Sequence, residues 1–429
     1  MLTQFANIMV YKEAVQYILP MVMTPGTNTA EMEPTTALTS ENISSTTRNT
    51  KSLNSKHGRF FCRYPFKHAQ VTPNDPAMPC CRFNHNFLAK EDKGKITNFD
   101  KLFTDIRAKM LSNEYVPGCW KCYEDEKNGN FSMRHESFEL WDNDEIEFAG
   151  MEIVVGRLCN LRCVTCDSDW SNKWDSDAKQ MGMTVREKYV DEFDLDNIDI
   201  EIFKNIKFIK VTGGEPFLHR QFLNLIKRLA LSGHASHIDL EIFTNCTFYP
   251  AKMDETALLK FNRVDISLSI DALDEQFEYL RKGADWIKSE QIFLKWHKLT
   301  KDTNINLQLA TTVGILNVLY IYDVVHYFKG RYNINVMLQT VFDPKHLGIA
   351  QYPDWVKDRI EYTLDNQFLQ YHPKSEKFEK YYKKVKKMCK RTGSNMSVEE
   401  LRKDIDKLAK IRGDDPDQTF DRLWRLLKL

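Results

Sequence analysis

The run Leu158-Cys159-Asn160-Leu161-Arg162-Cys163-Val164-Thr165-Cys166 decides how the rest of the chain is read. It sets three cysteines in a CxxxCxxC spacing just after a β-branched apolar run, Met151–Val155. Three thiolates this close together suit three irons of a [4Fe–4S] cube, a cluster that usually takes four cysteines. One iron is then left with an open site, where chemistry can take place. Structural zinc wants four closed ligands, which this group does not supply. Farther along stands Thr212-Gly213-Gly214-Glu215-Pro216, directly after a second apolar run, Ile206–Val211.

Working outward, four more runs of this type follow: Ile238–Phe243, Val264–Ile270, Ile305–Thr312 and Ile334–Leu338. Segments long enough for helices lie between them, such as Phe222–Ser232, Trp286–Thr300 and Val318–Lys329. Strands alternating with helices predict βαβ units and a parallel sheet. Right-handed crossovers in series curl such a sheet into a barrel or part of one. In barrels of this kind sites form at the C-terminal ends of the strands. The cysteine run, Gly213–Pro216, Thr244-Asn245, Ser269 with Asp271, and Asn317 all fall just after successive predicted strands. Turn chemistry would explain the glycines and asparagines singly. It does not explain the cysteines.

The CxxxCxxC motif followed by Gly213-Gly214-Glu215-Pro216 resembles the radical S-adenosylmethionine (radical SAM) enzymes. The resemblance implies an α/β fold with a partial, TIM-like (β/α)6 barrel. It implies that Cys159, Cys163 and Cys166 hold a [4Fe–4S] cluster and that the Gly-Gly-Glu-Pro turn holds the SAM amino group. Reductive cleavage of SAM to a 5′-deoxyadenosyl radical, then hydrogen abstraction from a substrate, would follow. Gly213, Gly214, Glu215 and Pro216 are the first cofactor-binding candidates. Glu215 suits the ammonium as a charged acceptor. Thr244, Asn245, Ser269, Asp271, Arg281 and Asn317 complete the set. Ser269 and Asp271 are candidates for the ribose or the carboxylate end. Arg281 is placed like a family arginine that pairs with the SAM carboxylate, a task its fork suits; the alternative is a surface ion pair. Many family members carry an aromatic residue just before the last cysteine. Here it is Thr165, so adenine contacts are expected elsewhere, from Val154-Val155 or residues near Asn317. No catalytic residue is assigned.

A second cysteine group, Cys62, Cys80, Cys81, Cys119 and Cys122, precedes the first. Spacing alone does not separate zinc from iron here. Pro79-Cys80-Cys81-Arg82, Gly94-Lys95-Ile96, a helix around Leu102–Leu111 and Gly118-Cys119-Trp120-Lys121-Cys122 resemble a SPASM or twitch module, which carries an auxiliary cluster. The resemblance implies a second [4Fe–4S] cluster on Cys62, Cys80, Cys119 and Cys122, with Cys81 as the alternate to Cys80. The module normally follows the barrel, and here it precedes it. Glu124, Glu126, Gly129, Ser132 and Arg134 are similar to a subset of twitch-containing radical SAM proteins with that order. Relatives with such modules usually modify peptides or proteins, so a peptide or protein substrate is expected. An external electron donor, such as a flavodoxin or ferredoxin, is implied as well. The alternatives are an iron–sulfur or zinc scaffold without SAM chemistry, and a radical SAM enzyme that modifies nucleic acids or sugars.

Composition bounds the remainder. The chain has 429 residues, and 60 Lys and Arg balance 60 Asp and Glu, so net charge argues against a polyanionic partner or bulk membrane attraction. Ten cysteines, eight of them between Cys62 and Cys166, read as metal ligands in a reducing, cytoplasmic compartment. The apolar stretch Tyr17–Met23 is too short to span a membrane and poorly built for a signal peptide. The Thr- and Ser-rich residues after it cannot bury enough to offset ordering entropy. The expected organisation is therefore an extension over 1–57, a small Cys-rich α+β module over 58–148, the barrel over 149–345 and a helical C-terminal region over 346–429. In that last region Ser397 to Glu400 reads as a capping box, with Leu401, Ile405, Leu408 and Ile411 at helical spacing and Gly413 as the stop. The basic run over 374–391 reads as a solvated helix face rather than a nucleic-acid site.

Overall fold

The computed structural model describes residues 57–73, 77–90, 96–127, 131–185, 191–341, 343–371, 376–389 and 396–428. The extension lies outside the described residues except for His57, as do Gly94-Lys95, Gly129 and both ends of the basic run. Seven parallel strands pair in chain order. They are β1 (His68–Val71), β2 (Gly150–Val154), β3 (Phe208–Thr212), β4 (Asp239–Thr244), β5 (Arg263–Leu268), β6 (Ile305–Val313) and β7 (Asn335–Thr340). The last six are the six expected runs. β1 adds a strand that the periodicity missed, because His68 and Gln70 hide its pattern. Both are nonetheless buried, since β1 extends the main sheet beside β2. The Cys-rich segment thus shares the sheet of the barrel.

One face of the sheet is apolar. Ile153, Ile209, Val211, Ile242, Val264 and Ile266 are almost wholly buried there. In β4 burial alternates strictly with the pleat. Helix α5 (Arg220–Ser232) joins the same core through Phe222, Leu225, Ile226 and Leu229, an i, i+3, i+4, i+7 stripe. The opposite face carries a polar row in register across six strands: Gln70, Glu152, Lys210, Glu241, Asp265 and Asn306.

The helices that matter for the site are α1 (Thr104–Leu111), α2 (Trp120–Lys127), α3 (Met133–Leu140), α4 (Trp174–Gln180), α5, α6 (Asp274–Leu280), α7 (Trp286–Leu299), α8 (Asp354–Tyr371), α9 (Glu376–Cys389), α10 (Val398–Arg412) and α11 (Asp421–Leu427). The helix expected over Val318–Lys329 is broken into a 3-10 turn, a short α-helix Ile321–Val325 and a π turn His326–Arg331. The expected capping box is present: the Ser397 hydroxyl accepts from the Glu400 N–H at 3.1 Å, and the Glu400 carboxylate accepts from the Ser397 N–H at 2.9 Å. Gly413 ends α10 in the left-handed region at φ 67°. The C-terminal helices pack on the barrel rather than trail from it. Phe420 and Leu423 are fully buried, and Gln276 of α6 donates to the Thr419 carbonyl at 2.9 Å. Among the described residues no helix is long and apolar enough to cross a membrane.

Candidate functional site

The cysteine loop leaves the end of β2, and the Gly-Gly-Glu turn leaves the end of β3 beside it. Their backbones are laced together. The Gly214 N–H donates to the Gly156 carbonyl at 2.8 Å, and the Glu215 N–H donates to the Leu158 carbonyl at 2.9 Å. Glycine is required for this approach. A Cβ on Gly214 would stand 2.3 Å from the Leu158 carbonyl oxygen, and one on Gly156, at φ +127°, would stand 2.0 Å from that of Asp191. Trp174 of α4 donates its indole N–H to the Cys163 carbonyl at 2.7 Å. Arg157 grips Asp175 and Asp191 with N–O distances of 2.7 Å each. The Cys166 N–H closes a turn onto the Cys163 carbonyl at 3.1 Å. The three thiols therefore sit on a loop whose carbonyls and flanks are already held.

Glu215 is fully buried and is the hub of the turn. Its Oε1 accepts from the Thr244 hydroxyl at 2.7 Å and the Phe217 N–H at 3.2 Å, and its Oε2 accepts from the Asn245 N–H at 2.7 Å. Burial pushes its carboxyl up to about 7, against these hydrogen bonds. Thr244, the last residue of β4, and Asn245 thus meet Glu215 by tying β3 to β4. Asn245 also lies 3.8 Å from the Cys159 sulfur through its side-chain nitrogen. Ser269 is half-buried, and its N–H donates to the Thr244 carbonyl.

Arg281 is not a surface residue. It is buried, pairs with buried Asp271 at 2.8 Å, and holds Nη1 3.9 Å from the Cys163 sulfur. Its Nε–H finds no acceptor among the described residues. Asn317 spends both amide hydrogens on the carbonyls of Asp271 and Thr312 and accepts from the Gly314 N–H, so it braces the loops after β5 and β6. Pro216 begins a 3-10 turn behind Glu215. Sequence reasoning missed Arg157, Trp174 and Asp177 around the cysteine loop. Their partners lie too far along the chain for a local pattern to mark them.

In the N-terminal segment Cys62, Cys80, Cys119 and Cys122 line one pocket together with Tyr64, Arg82 and Arg134. Cys81 lies outside that lining. It is exposed, with its sulfur 3.7 Å from that of Met133. Cys119 closes a 3-10 turn and Cys122 lies in the first turn of α2, so the two thiols of the CxxC face the pocket from one helix start. Gly118 lets Phe83 pack against the turn: a Cβ there would stand 2.3 Å from the ring. Glu126 binds Arg134 through two hydrogen bonds at 2.8 and 2.6 Å, while Arg134 donates to the Phe61 carbonyl. This clamp gives Glu126, Ser132 and Arg134 a physical reason to occur together. All ten cysteines are free thiols.

The model of the Radical SAM superfamily matches residues 153–326. The 7-carboxy-7-deazaguanine synthase of Clostridium acetobutylicum is 30% identical over 179 residues, which cover 40% of this chain and 70% of that protein. The chain belongs to the radical SAM superfamily. The GTP 3',8-cyclase of Campylobacter lari is 25% identical over 133 residues, 31% of this chain, and the chain spans only 38% of that relative's length. The solved structure of native anSMEcpe with bound AdoMet shares 19% identity at a TM-score of 0.39, over 57% of this chain and 64% of that one.

The cofactors of the radical SAM superfamily are a [4Fe–4S] cluster and SAM, and the residues present fit them. Three thiols share one held loop. A glycine cradle tolerates no Cβ, and a buried guanidinium beside Cys163 keeps an N–H that has no acceptor among the described residues. Burial holds the thiols up, Cys159 at about 11, so they are poor ligands until a cation replaces the proton.

The polar face of the sheet has its own electrostatics. Burial, with Asp265, Glu152 and Glu136 nearby, pushes the Glu241 carboxyl up to about 7, while Lys210 pulls it down. The folded chain therefore holds this proton more tightly than the unfolded chain, and stability falls as pH rises from about 4.5 to about 7. Glu241→Gln removes the cost of the ionised form. Its melting temperature relative to wild type is expected to rise across that window and then level off. Thermal melts at about pH 5 and about pH 8 check this, and a difference that does not grow with pH would contradict it.

Proposed function

We propose that this chain is a radical SAM enzyme whose cluster sits on Cys159, Cys163 and Cys166, with an auxiliary [4Fe–4S] cluster on Cys62, Cys80, Cys119 and Cys122, acting on a peptide or protein. The observation that carries the reading is the interlock of the CxxxCxxC loop with the Gly-Gly-Glu turn at adjacent strand ends. When bound, the cluster and SAM supply a one-electron reductive cleavage of the sulfonium. The chain's own residues bind and orient. Among the described residues the Oε2 of Glu215 accepts one hydrogen bond, from the Asn245 N–H, and a carboxylate oxygen accepts two, so it suits the SAM ammonium. Arg281, already turned toward Cys163, suits an anionic group there. Asn317 acts as a brace behind that region, and Ser269 remains a candidate for the ribose. The pocket lining favours Cys80 over Cys81 as the auxiliary ligand. A reducing, cytoplasmic setting and an external electron donor such as a flavodoxin or ferredoxin belong to the same proposal.

A second reading, modification of a nucleotide, is favoured by the names of the relatives. The polar face of the sheet weighs against a triphosphate. Glu152, Glu241 and Asp265 outnumber Lys210 in the central row, and Arg263 beside them is taken by Asp265 at 2.9 Å. A triphosphate wants free cations instead.

Metal content tests the proposal. After anaerobic reconstitution about eight irons per chain are expected, from two four-iron cubes. Zinc in the N-terminal pocket with about four irons elsewhere would overturn the auxiliary assignment.

A further inference from the structure

We infer that Arg412, at the end of α10, is a positioning residue of the Cys159–Cys166 cluster: a buried cation that holds the loop and favours the cluster's reduced form. The inference rests on the reading that these three cysteines hold a cube. The Arg412 side chain is 1% exposed, and its Nε donates to Asp177 Oδ2 at 2.7 Å. The other oxygen of Asp177 is taken by Arg162, which lies inside the cysteine motif. Two guanidiniums thus share one fully buried carboxylate, and the trio carries net positive charge. Both Nη groups of Arg412 are buried and find no acceptor among the described residues. Its guanidinium carbon lies 4.7 Å from the centre of the Trp174 ring, the ring whose N–H holds the Cys163 carbonyl.

A buried guanidinium with unfilled donors, whose one carboxylate is shared with a second guanidinium, is costly unless a further anion arrives. A cube on three thiolates is such an anion, and a one-electron reduction by an external donor adds to its negative charge. Arg412 therefore reaches the cluster loop by two routes, through Asp177 to Arg162 and through Trp174 to Cys163. Neither route is needed merely to dock α10. Lys407 donating to the Met181 carbonyl, and the Lys282–Asp414 ion pair, anchor that end of the chain on their own.

The test is a potentiometric titration of the reconstituted full chain followed by electron paramagnetic resonance, with added SAM marking the responsive cluster. The wild-type signal reads the cluster assignment by itself, and its absence would overturn both. At a fixed potential Arg412→Met is expected to lower the reduced-to-oxidised ratio of that cluster about tenfold, or about 59 mV for a one-electron couple. Arg412→Lys, which keeps the charge, is expected to stay within about twofold of wild type. Asp177→Asn removes the opposing charge and is expected to move the ratio the other way. A purely structural role predicts loss of iron in all three variants and no opposed shifts. An Arg412→Met ratio equal to wild type, with full iron, would overturn the inference. If Arg412→Met fails to load iron, Asp177→Asn decides: a raised ratio supports the inference and an unchanged or lowered ratio overturns it.

Discussion

Cys163→Ala is expected to make no 5′-deoxyadenosine when the reconstituted chain is given dithionite and SAM, where wild type releases it slowly without substrate. Cys163 is the middle cysteine of the loop. Its carbonyl is held by Trp174 and accepts the Cys166 N–H, and both bonds use backbone that alanine keeps. The substitution therefore removes a thiolate and little else, so loss of activity reads the cluster rather than the fold. Iron should fall by about half, from two cubes to one. Circular dichroism should be unchanged. Product at the wild-type rate from this variant would mean that the three cysteines are not the cluster site.

Glu215→Ala is the second large effect, and the structure makes it larger than sequence alone implied. In the proposed role, a charged acceptor for the SAM ammonium, Glu215 would be worth about 1.5–3 kcal/mol, so SAM binding should weaken by about one to two orders of magnitude. The same carboxylate also accepts from Thr244, Asn245 and Phe217 in a fully buried position. Alanine strands these donors, and each costs about 1–3 kcal/mol where water cannot replace the partner. A fall in melting temperature should accompany the binding loss. Glu215→Gln keeps the volume but offers one acceptor oxygen in place of two, so it should lie between alanine and wild type in both. Calorimetry and melting curves check the pair. Weakened binding with an unchanged melt would deny Glu215 its role as hub.

Much of this was legible from the chain. The six runs that form β2–β7 are β-branched and end in turn residues, so period and punctuation agreed. The placement of Cys159–Cys166, Gly213–Glu215 and Thr244-Asn245 after strands followed from that pattern. β1 was not legible, because His68 and Gln70 are polar residues buried in a strand that pairs with β2. Arg281 allowed a surface or a site reading, and only its contact with Asp271 and Cys163 distinguishes them. The Asp177–Arg412 pair joins positions 235 apart, so no local window could show it. Glu215 read as a ligand-binding carboxylate, while its structural bonds come from β4 and depend on strand pairing.

Calorimetric titration of SAM into the anaerobically reconstituted chain tests the central claim most directly, because it does not depend on the unidentified substrate. With a full iron complement, one SAM is expected to bind per chain, and Glu215→Ala should weaken that binding without removing iron. No binding at about millimolar SAM, an affinity of barely 4 kcal/mol, in a chain that holds all its iron would contradict the account.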